Sequence, residues 1–457
     1  MKFPENLGLT SIIRQTLSGP LYPEKEFILS EYTYREIYAL AAGIRNTLSQ
    51  GKDRDAVCLC TENKGLIAAS VLASLACESV LILPYALSRQ ALREVRDETG
   101  FTKAITDMPE KLPPGTEALS LSPCTGSDMS LEYCRNPDSA VLKLFTGGST
   151  GKPRLWSKTA HILFSEAACL RKKLKISEND RVIATVPPYH IYGLFLSVLV
   201  PFISSASVGA GIYVFPHEIL SVMEKASVLV SVPVHYRLLN RSGIPCLTKY
   251  SLRAATSSAA FLDKKDSFDF YERTGIGIAE IYGSTETGGI AVRCQARNEK
   301  AFIPFDIVDW KIRDKRLAVR SELISPELRK NTDGFFMTGD RAARHDDNSF
   351  LLMGREDGIV KVGGKRTDLN EIQDKLKSIP GVRDAVVISI PVTGGRENKI
   401  AALVEGNTDA SRIRDIISGM VEPYAMPRHI RVVDHIPVTP TGKYDRKTIA
   451  KLCLGKC

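Results

Sequence analysis

The sequence lacks several patterns that would place it in a common class of protein. Its ten cysteines contain no Cys-x-x-Cys pair, and its seven histidines have no metal-ligand spacing, so neither a zinc site nor a redox centre is indicated. No block of Lys or Arg is dense enough to indicate nucleic-acid binding, and no internal repeat is visible. The N-terminal stretch MKFPENLGLTSIIRQ has no secretory-signal pattern, which together with the free thiols predicts a cytoplasmic protein.

One long stretch, residues 191–216 (IYGLFLSVLVPFISSASVGAGIYVFP), contains no charged residue and is long enough to cross a bilayer. Pro201 interrupts it, and SSASVGAG predicts a loop followed by a strand at IYVF. We therefore predict a buried helix, a turn and a strand here, with no stable membrane span. Membrane contact through a lipid-like substrate stays open.

The bulk composition is that of a soluble globular protein. With 457 residues, 44% of them hydrophobic and 25% charged, the chain is too long for one core and is expected to form at least two domains. Its net charge of +9 suits an anionic ligand such as a nucleotide, or an acidic partner protein.

The order of the elements predicts an α/β fold. TYRE (residues 33–36) has the pattern of a helix capping box, and strand-like runs then alternate with helical ones up to SVLVSVP, which is typical of a parallel sheet covered by helices. From about Asp306 short alternating runs predict antiparallel hairpins, and after Gly354 a small α+β unit is expected. We predict a large N-terminal domain of layered α/β subdomains plus a β-rich subdomain (1–354), a hinge (355–357) and a small mobile α+β C-terminal domain (358–457).

A glycine-rich loop, KLFTGGSTGKPRL (residues 143–155), looks at first like a Walker phosphate loop. Thr146 stands where that motif needs its first glycine, and Pro153 stands where it needs Ser or Thr after the lysine. Six further motifs follow in order: PPYHIYG (187–193), TSSAAF (256–261), IYGSTETGG (281–289), TGD (338–340), GREDGIVKVGGKR (354–366) and PVTPTGKYDR (437–446).

In this order and spacing the motifs resemble the adenylate-forming superfamily of acyl-CoA synthetases, nonribosomal-peptide adenylation domains and luciferases. The resemblance covers nearly the whole chain. It implies that the protein uses ATP and Mg²⁺ to convert a carboxylic acid to an acyl-adenylate with release of pyrophosphate. The acyl group then passes to a phosphopantetheine thiol, either of CoA or of an acyl carrier protein.

The resemblance also implies roles for individual residues. The first loop would hold the β- and γ-phosphates, although Gly147 and Arg154 depart from the Ser and Lys that the family commonly has. Tyr282 would contact adenine, Thr285 would bind the α-phosphate, and Glu286 would be a ligand of Mg²⁺. Asp340 and Arg355 would bind the ribose, and Arg366 would bind a phosphate. The full expected set of ATP- or AMP-binding residues is Thr146, Gly148, Ser149, Thr150, Gly151, Lys152, Ser258, Ala259, Tyr282, Gly283, Ser284, Asp340, Arg355 and Arg366.

Lys443 is expected to be the main catalytic residue, together with Thr285, Glu286 and His190. Its ammonium would offset the repulsion between the carboxylate and the α-phosphate of ATP as charge shifts in the transition state. Asp357 matches the family's hinge residue, about which the small domain would rotate between adenylation and thiol transfer. His190 is taken as a gate of the acyl pocket rather than as a proton shuttle, and Tyr189, Gly193 and Leu194 are expected to line that pocket with it.

The substrate is less well defined by the sequence. Relatives that activate amino acids place an aspartate just after the second motif, and HIYGLFLSVL has none, so an uncharged acyl or aryl acid is favoured. The chain is similar in size to compact ligases of polyketide or aryl-polyene pathways, which load carrier proteins. Two other classes stay open, a degenerate ATP-binding protein without turnover and a membrane-anchoring module, and so does a homodimer. No nucleic-acid partner is expected.

Overall fold

The computed structural model describes residues 8–49, 56–124, 131–146, 154–243, 251–355, 358–362, 365–391, 398–440 and 442–454. The chain divides into two compact units, Met1–Asp309 with Arg320–Gly334, and Trp310–Val319 with Phe335–Cys457. The predicted boundary after Gly354 lies inside the second unit, and the domain limits given above remain a prediction.

The helices follow local signals in the sequence. Asn63, Ser88 and Thr159 each accept a backbone N–H with their side chain at a helix start, and Gly100 and Gly275 end helices in the left-handed conformation that glycine adopts freely. The α-helices are α1 (Leu9–Leu17), α2 (Tyr34–Ser49), α3 (Lys64–Leu75), α4 (Arg89–Thr99), α5 (Ala160–Leu174), α6 (Ile191–Leu194), α7 (Val200–Ile203), α8 (Pro216–Met223), α9 (Pro233–Arg241), α10 (Lys264–Thr274), α11 (Leu369–Lys377), α12 (Ala410–Ser418) and α13 (Arg446–Leu454).

The strands of the first unit form two sheets. Their bounds are β1 (Glu26–Ile28), β2 (Tyr32–Thr33), β3 (Ala56–Cys60), β4 (Val80–Leu83), β5 (Lys103–Thr106), β6 (Glu117–Ala118), β7 (Ala140–Thr146), β8 (Arg154–Thr159), β9 (Arg181–Ala184), β10 (Ser207–Val208), β11 (Val228–Ser231), β12 (Ala254–Ser257), β13 (Ile278–Ser284), β14 (Gly288–Arg293) and β15 (Ile303–Pro304). Within the described residues the sheet orders are β15-β14-β13-β12-β11-β9-β10-β1-β2 and β6-β5-β3-β4-β7-β8.

Most neighbouring strands of these sheets are parallel, as the alternation of strands and helices predicted. β9, β11, β12 and β13 pair in parallel, as do β5, β3, β4 and β7, whereas β7 and β8 form an antiparallel hairpin. Helices α8, α9 and α10 cover one region of the larger sheet, where Met223, Tyr236 and Phe270 are fully buried in an apolar cluster. The mixed α/β class is thereby confirmed.

The second unit begins in antiparallel strands and ends in a small α+β fold. Its strands are β16 (Val308–Arg313), β17 (Arg316–Ser321), β18 (Phe336–Asp346), β19 (Ser349–Arg355), β20 (Ile359–Val362), β21 (Lys365–Asp368), β22 (Val382–Pro391), β23 (Asn398–Gly406) and β24 (His429–Val433). β16 to β19 form a sheet in chain order, β20 pairs with β21, and β22-β23-β24 form a sheet in the part of the chain that the structure describes. Helices α11 and α12 pack on one apolar cluster against this last sheet, and α13 packs on another.

One local prediction was wrong. The strand of the uncharged stretch is β10, inside the segment predicted as a loop, and IYVF (212–215) is irregular. Ser207 and Val208 pair between β9 and β1, so backbone partners decide the position of the strand and its apolar character does not. The preceding residues are helical as predicted, with a π-helical segment, Phe195–Leu199, between α6 and α7. In the described ranges no helix is both long and apolar enough to cross a membrane.

Candidate active site

The candidate site of the first unit lies where β9, β11, β12 and β13 end. Because these strands are parallel neighbours, their carboxyl ends lie at one edge of the sheet. In open α/β sheets such an edge is where ligands bind. The motifs PPYHIYG, TSSAAF and IYGSTETGG follow or end β9, β12 and β13, so the fold brings these three predicted motifs to a common edge.

Thr285 and Glu286 lie at the tip of a tight turn between β13 and β14. Ser284 pairs with Gly288 across the turn. The hydroxyls of Ser284 and Thr287 are 2.8 Å apart, and the backbone N–H of Ser284 donates to Thr287 Oγ1 at 3.2 Å. The turn is therefore closed by its own side chains, and both predicted ATP-contacting residues are half-buried at its tip.

The turn is also fixed from outside. The backbone carbonyl of Glu286 accepts the N–H of Ser325 at 2.8 Å, and the N–H of Gly289 donates to Glu166 Oε1 of α5 at 2.8 Å. A Cβ atom at Gly283 would collide with the carbonyl of Gly288, so this position requires glycine. These contacts leave the turn little freedom to move.

The predicted adenine side combines the ends of β12 and β13. Tyr282 is half-buried, and its ring centroid lies 5.6 Å from that of Phe302. Ser258 donates its hydroxyl to the carbonyl of Ile281 at 2.8 Å, which ties the TSSAAF segment to the strand of Tyr282. Ala259 has a φ of 71°, in the left-handed region that an alanine rarely adopts.

The acyl-pocket residues predicted from PPYHIYG lie at the start of α6. Tyr189 is buried, and its ring centroid is 4.7 Å from that of half-buried His190. Burial raises the pKa of Tyr189 to about 12, and Glu62 adds to the shift. Gly193 is buried against the carbonyl of Pro187, where a Cβ atom would not fit, and Leu194 is fully buried.

Sequence reasoning missed a buried hydroxyl network next to this segment. The hydroxyl oxygen of Tyr192 is 2.7 Å from Thr256 Oγ1 and donates to the carbonyl of Ser231 at 3.1 Å. His235 Nδ1 is 2.6 Å from Thr185 Oγ1, which lies 2.9 Å from Ser231 Oγ. Burial lowers the pKa of His235 to about 4, so its ring is neutral at pH 7. Ser231 and Thr256 lie on strands, and Thr185 directly follows β9. All three resemble ordinary core positions, and the sequence offers no signal for the network.

The predicted phosphate loop joins β7 to β8. Thr146 ends β7 and pairs with Arg154, the first residue of β8. Gly148, Ser149, Thr150, Gly151 and Lys152 lie outside the described residues. The structure therefore locates the two ends of the loop at the edge of the six-stranded sheet.

In the second unit, Asp340 and Arg355 are register partners across β18 and β19. The backbone N–H of Asp340 donates to Thr338 Oγ1 at 3.2 Å, within the TGD motif. Arg366 lies on β21 opposite Lys361 of β20. The two predicted ribose residues are thus brought together by strand pairing, although 14 residues lie between them in the sequence. The predicted hinge residue, Asp357, lies outside the described residues.

Lys443 lies on an exposed hairpin turn. Val438 bridges Tyr444, and the N–H of Thr439 donates to the carbonyl of Lys443 at 2.7 Å. Gly442 has a φ of 76°, which the turn requires and which glycine supplies without strain. The side chain of Lys443 is exposed.

Glu286 is the residue of the first-unit turn that fits a Mg²⁺ ion. Glu286 is half-buried and directly follows Thr285 in the turn, and Mg²⁺ prefers one or two carboxylates plus phosphate and water oxygens. No group of three His, Cys, Asp or Glu side chains gathers into a metal cluster among the described residues. This donor set suits a metal ion that arrives with a nucleotide better than one held in a cage of protein ligands.

The N-terminal part is mixed α/β with its motifs at the strand ends, and a small α+β part with a lysine on a turn follows it. This is the architecture of the adenylate-forming class of enzymes. The sequence model of the AMP-binding enzymes matches residues 20–319, and that of the AMP-binding enzyme C-terminal domain matches residues 371–443. The chain belongs to the AMP-binding enzyme family.

Two of the curated relatives are acid–CoA ligases. A sulfoacetate–CoA ligase of Cupriavidus necator is 23% identical over 406 residues, which cover 80% of this chain and 77% of the relative. A mitochondrial malonate–CoA ligase of Mus musculus is 24% identical over 437 residues, which cover 80% and 74% of the two chains.

Solved structures of similar fold cover nearly the whole chain. ATP-bound MatB from Rhodopseudomonas palustris superimposes with a TM-score of 0.83 at 20% identity, covering 96% of this chain and 98% of its own. A benzoate CoA ligase from Burkholderia xenovorans has a TM-score of 0.79 at 18% identity, covering 96% and 99%. These likenesses confirm the fold with its large N-terminal and small C-terminal domains.

Proposed function

We propose that this enzyme activates a carboxylic acid with ATP and transfers the acyl group to the thiol of CoA. Apart from its reacting carboxylate, the acyl or aryl acid carries no charge. In the first step a carboxylate oxygen attacks the α-phosphorus of ATP, the bond to the β-phosphate breaks, and pyrophosphate leaves. In the second step the thiol sulfur attacks the acyl carbon, AMP leaves, and the thiol proton is lost. We place this chemistry in the cytoplasm.

The residues of the chain take the following parts in this proposal. Thr285 donates to the α-phosphate, and Glu286 would hold Mg²⁺, which neutralises phosphate charge when it is bound. Lys443 supplies a positive charge as the two anions approach each other. Asp340 and Arg355 hold the ribose. The turn contacts around Thr285 and the strand pairing of Asp340 with Arg355 support these roles.

The observation that carries the choice of acid is the lack of acidic and basic side chains around the ends of β9, β11 and β12. Segments 185–194, 228–236 and 254–262 contain no Asp, Glu, Lys or Arg. His235, in the second segment, is neutral at pH 7, and the network around it consists of hydroxyls and carbonyls. A second carboxylate or a sulfonate on the substrate would need a cation here, and an α-ammonium group would need a carboxylate. We therefore expect acids that differ in charge from malonate and sulfoacetate, which two of the curated relatives are named for.

Hydroxamate trapping with ATP and Mg²⁺ tests the choice of acid. Benzoate, hydroxybenzoates and medium-chain fatty acids are compared with malonate, sulfoacetate and the proteinogenic amino acids. We expect hydroxamate from members of the first group only. Turnover of malonate, sulfoacetate or an amino acid, with none of any uncharged acid, would overturn the proposal.

The alternative acceptor is the phosphopantetheine arm of an acyl carrier protein. The described part of the second unit has exposed basic residues on α12, β24 and α13, among them Arg414, Arg431 and Lys451, and both CoA phosphates and an acidic carrier protein fit such charge. Thioester formation is therefore measured with CoA and with holo-carrier protein at equal concentration. Transfer to the carrier alone would replace the CoA form of the proposal with a carrier-loading one.

A further inference from the structure

We propose that Glu166 and Lys158 are positioning residues that hold the Thr285–Glu286 turn in place relative to the strand that follows the phosphate loop. This inference rests on the proposed function, because it concerns the same ATP site. Lys158 lies on β8 and Glu166 on α5, so both belong to the strand–helix unit that begins directly after the loop. Neither residue belongs to any of the motifs that carry the predicted chemistry.

Glu166 acts on the far side of the turn. Its carboxylate is buried, and Oε1 accepts the N–H of Gly289 at 2.8 Å. A Cβ atom at Gly288 would lie 2.8 Å from Glu166 Oε2, so the glycine allows the carboxylate to approach the backbone closely. The helix after the phosphate loop therefore reaches the strand that follows Glu286.

Lys158 acts on the segment that supports the turn from the other side. Its side chain is completely buried, and Nζ donates to the carbonyl of Leu323 at 3.3 Å. Two residues further on, the N–H of Ser325 donates to the carbonyl of Glu286 at 2.8 Å. Lys158 is thus linked to the catalytic turn through one short backbone segment.

The segment that supports the turn, residues 322–327, is bound to β8 and α5 by two more of its side chains. The N–H of Ser157 donates to both carboxylate oxygens of Glu327, at 3.1 and 3.2 Å, and His161 Nε2 lies 2.9 Å from Glu322 Oε2. These contacts are partly exposed, so they are expected to contribute less than the buried ones. They show that β8 and α5 contact the supporting segment along its length.

Lys158 also places an ionisable amino group near Glu286. Burial lowers the pKa of Lys158, and attraction to Glu166, Glu286 and Glu327 opposes that effect. Glu166 Oε2 is buried without a hydrogen-bond partner among the described residues. Buried charges of this kind are costly, and an apolar pair of similar volume would stabilise the fold as well or better. Their placement around the turn is explained if they fix Glu286 where the metal and the α-phosphate are bound.

The experiment compares four variants of the full chain with the wild type. Glu166→Leu removes the acceptor of the Gly289 N–H, Glu166→Gln keeps an acceptor without the charge, and Lys158→Met removes the ammonium. The double variant Lys158→Met/Glu166→Leu leaves no unpaired buried charge and is expected to fold even where a single one does not. Lys172→Met is the matched control, since Lys172 lies on α5 and pairs with Asp306 at the surface.

Two quantities are measured as a function of MgCl₂ concentration: binding of ATP by calorimetry without any acid, and acid-dependent pyrophosphate exchange. Outer-shell partners of a metal site typically contribute 10- to 100-fold to metal affinity, so we expect Glu166→Leu, Lys158→Met and the double variant to raise the Mg²⁺ concentration for half-maximal ATP binding about 10- to 100-fold. The KM for the acid should change little. Glu166→Gln should recover most of the loss, and Lys172→Met should match the wild type.

Wild-type Mg²⁺ dependence in the folded double variant would overturn the inference and leave the two residues with a structural role only. Equal loss in Glu166→Gln and Glu166→Leu would overturn the role given to the Gly289 contact. Absence of pyrophosphate exchange by the wild-type enzyme with every acid would instead count against the proposed function. The calorimetric measurement would still decide the inference in that case, because it needs ATP and MgCl₂ alone.

Discussion

The hydroxyl oxygen of Tyr444 lies 2.9 Å from both carboxylate oxygens of Asp384. Asp384 is buried on β22, where Lys377 Nζ also reaches it at 2.8 Å. Since Tyr444 follows Lys443 directly, this contact attaches the turn that carries the proposed catalytic lysine to the core of the small α+β fold. The turn is exposed, but its base is anchored to a buried carboxylate.

Tyr444→Phe should therefore make the position of Lys443 less well fixed while leaving its charge unchanged. Loss of a hydrogen bond to a charged group costs about 1.5–3 kcal/mol, and we expect the melting temperature and the adenylation rate both to fall. Thioester formation from a supplied acyl-adenylate should be less affected. Tyr271→Phe, on an exposed face of α10, is the control. A lower melting temperature with unchanged adenylation would mean that the contact serves stability alone.

Lys443→Ala should lower the adenylation rate by about 100- to 1,000-fold, as loss of one transition-state donor does in other enzymes. Thioester formation from pre-made acyl-adenylate should stay largely intact. The control is Lys447→Ala, which removes a nearby exposed lysine at the start of α13. Equal damage to both half-reactions would contradict a role confined to adenylation.

Asp357→Pro tests the predicted hinge. Proline fixes φ near −65°, so a change of backbone conformation at this position would be blocked. We expect adenylation to be spared and thiol transfer to be impaired, the reverse of Lys443→Ala. Single-turnover assays of the two steps decide between the outcomes. If Asp357→Pro leaves thiol transfer at the wild-type rate, the hinge prediction is wrong.

Ala259→Gly should stabilise the protein. The φ of 71° at Ala259 places its Cβ in the unfavourable left-handed region, which costs about 1–2 kcal/mol for an L-residue and nothing for glycine. Part of this gain is offset by the greater freedom of glycine in the unfolded chain. The matched change Ala260→Gly, at a residue with negative φ, should destabilise. Chemical unfolding of both variants measures the difference, and a loss of stability in Ala259→Gly would contradict the prediction.

The buried ring of His235 should make the protein sensitive to mild acid. Its pKa of about 4 lies below the value near 6.5 of an unfolded histidine, so between these two pH values the unfolded chain takes up a proton that the folded one does not. Stability should therefore fall as the pH drops from about 6.5 towards 4, by about 3 kcal/mol from this residue. Unfolding curves across this range for wild type and His235→Gln measure the effect. The variant should lose that share of the slope, and identical slopes would refute the assignment.

The features that sequence predicted best are those whose partners are close along the chain. Thr33 and Glu36 form the predicted capping box, with the N–H of Thr33 donating to Glu36 Oε2 at 2.7 Å and the N–H of Glu36 to Thr33 Oγ1 at 3.2 Å. The alternation of strands and helices is local too, and it predicted the parallel sheets.

Features that depend on distant partners were missed. The short strand at Ser207 exists because β1 and β9 lie on either side of it. The residues of the short strand itself give no sign of these two neighbours. Lys158 in a strand looks like a solvent-facing residue, yet the fold buries it near glutamates far along the chain. His235 likewise is kept neutral by burial in the fold, and its hydrogen-bond partner Thr185 lies fifty residues earlier in the chain.

The contacts of Glu166 and Lys158 limit which segments of this chain could be exchanged for those of a homologue. The contact of Glu166 with Gly289 joins helix α5 to the β13–β14 hairpin, 123 residues further along the chain, and Lys158 joins the same region to residues beyond 320. A hybrid in which only β8 and α5 come from another homologue would leave a buried glutamate or lysine without the backbone partner that it has in its own parent. We therefore expect functional hybrids of this enzyme to inherit residues 154–174, 284–289 and 322–327 from the same parent.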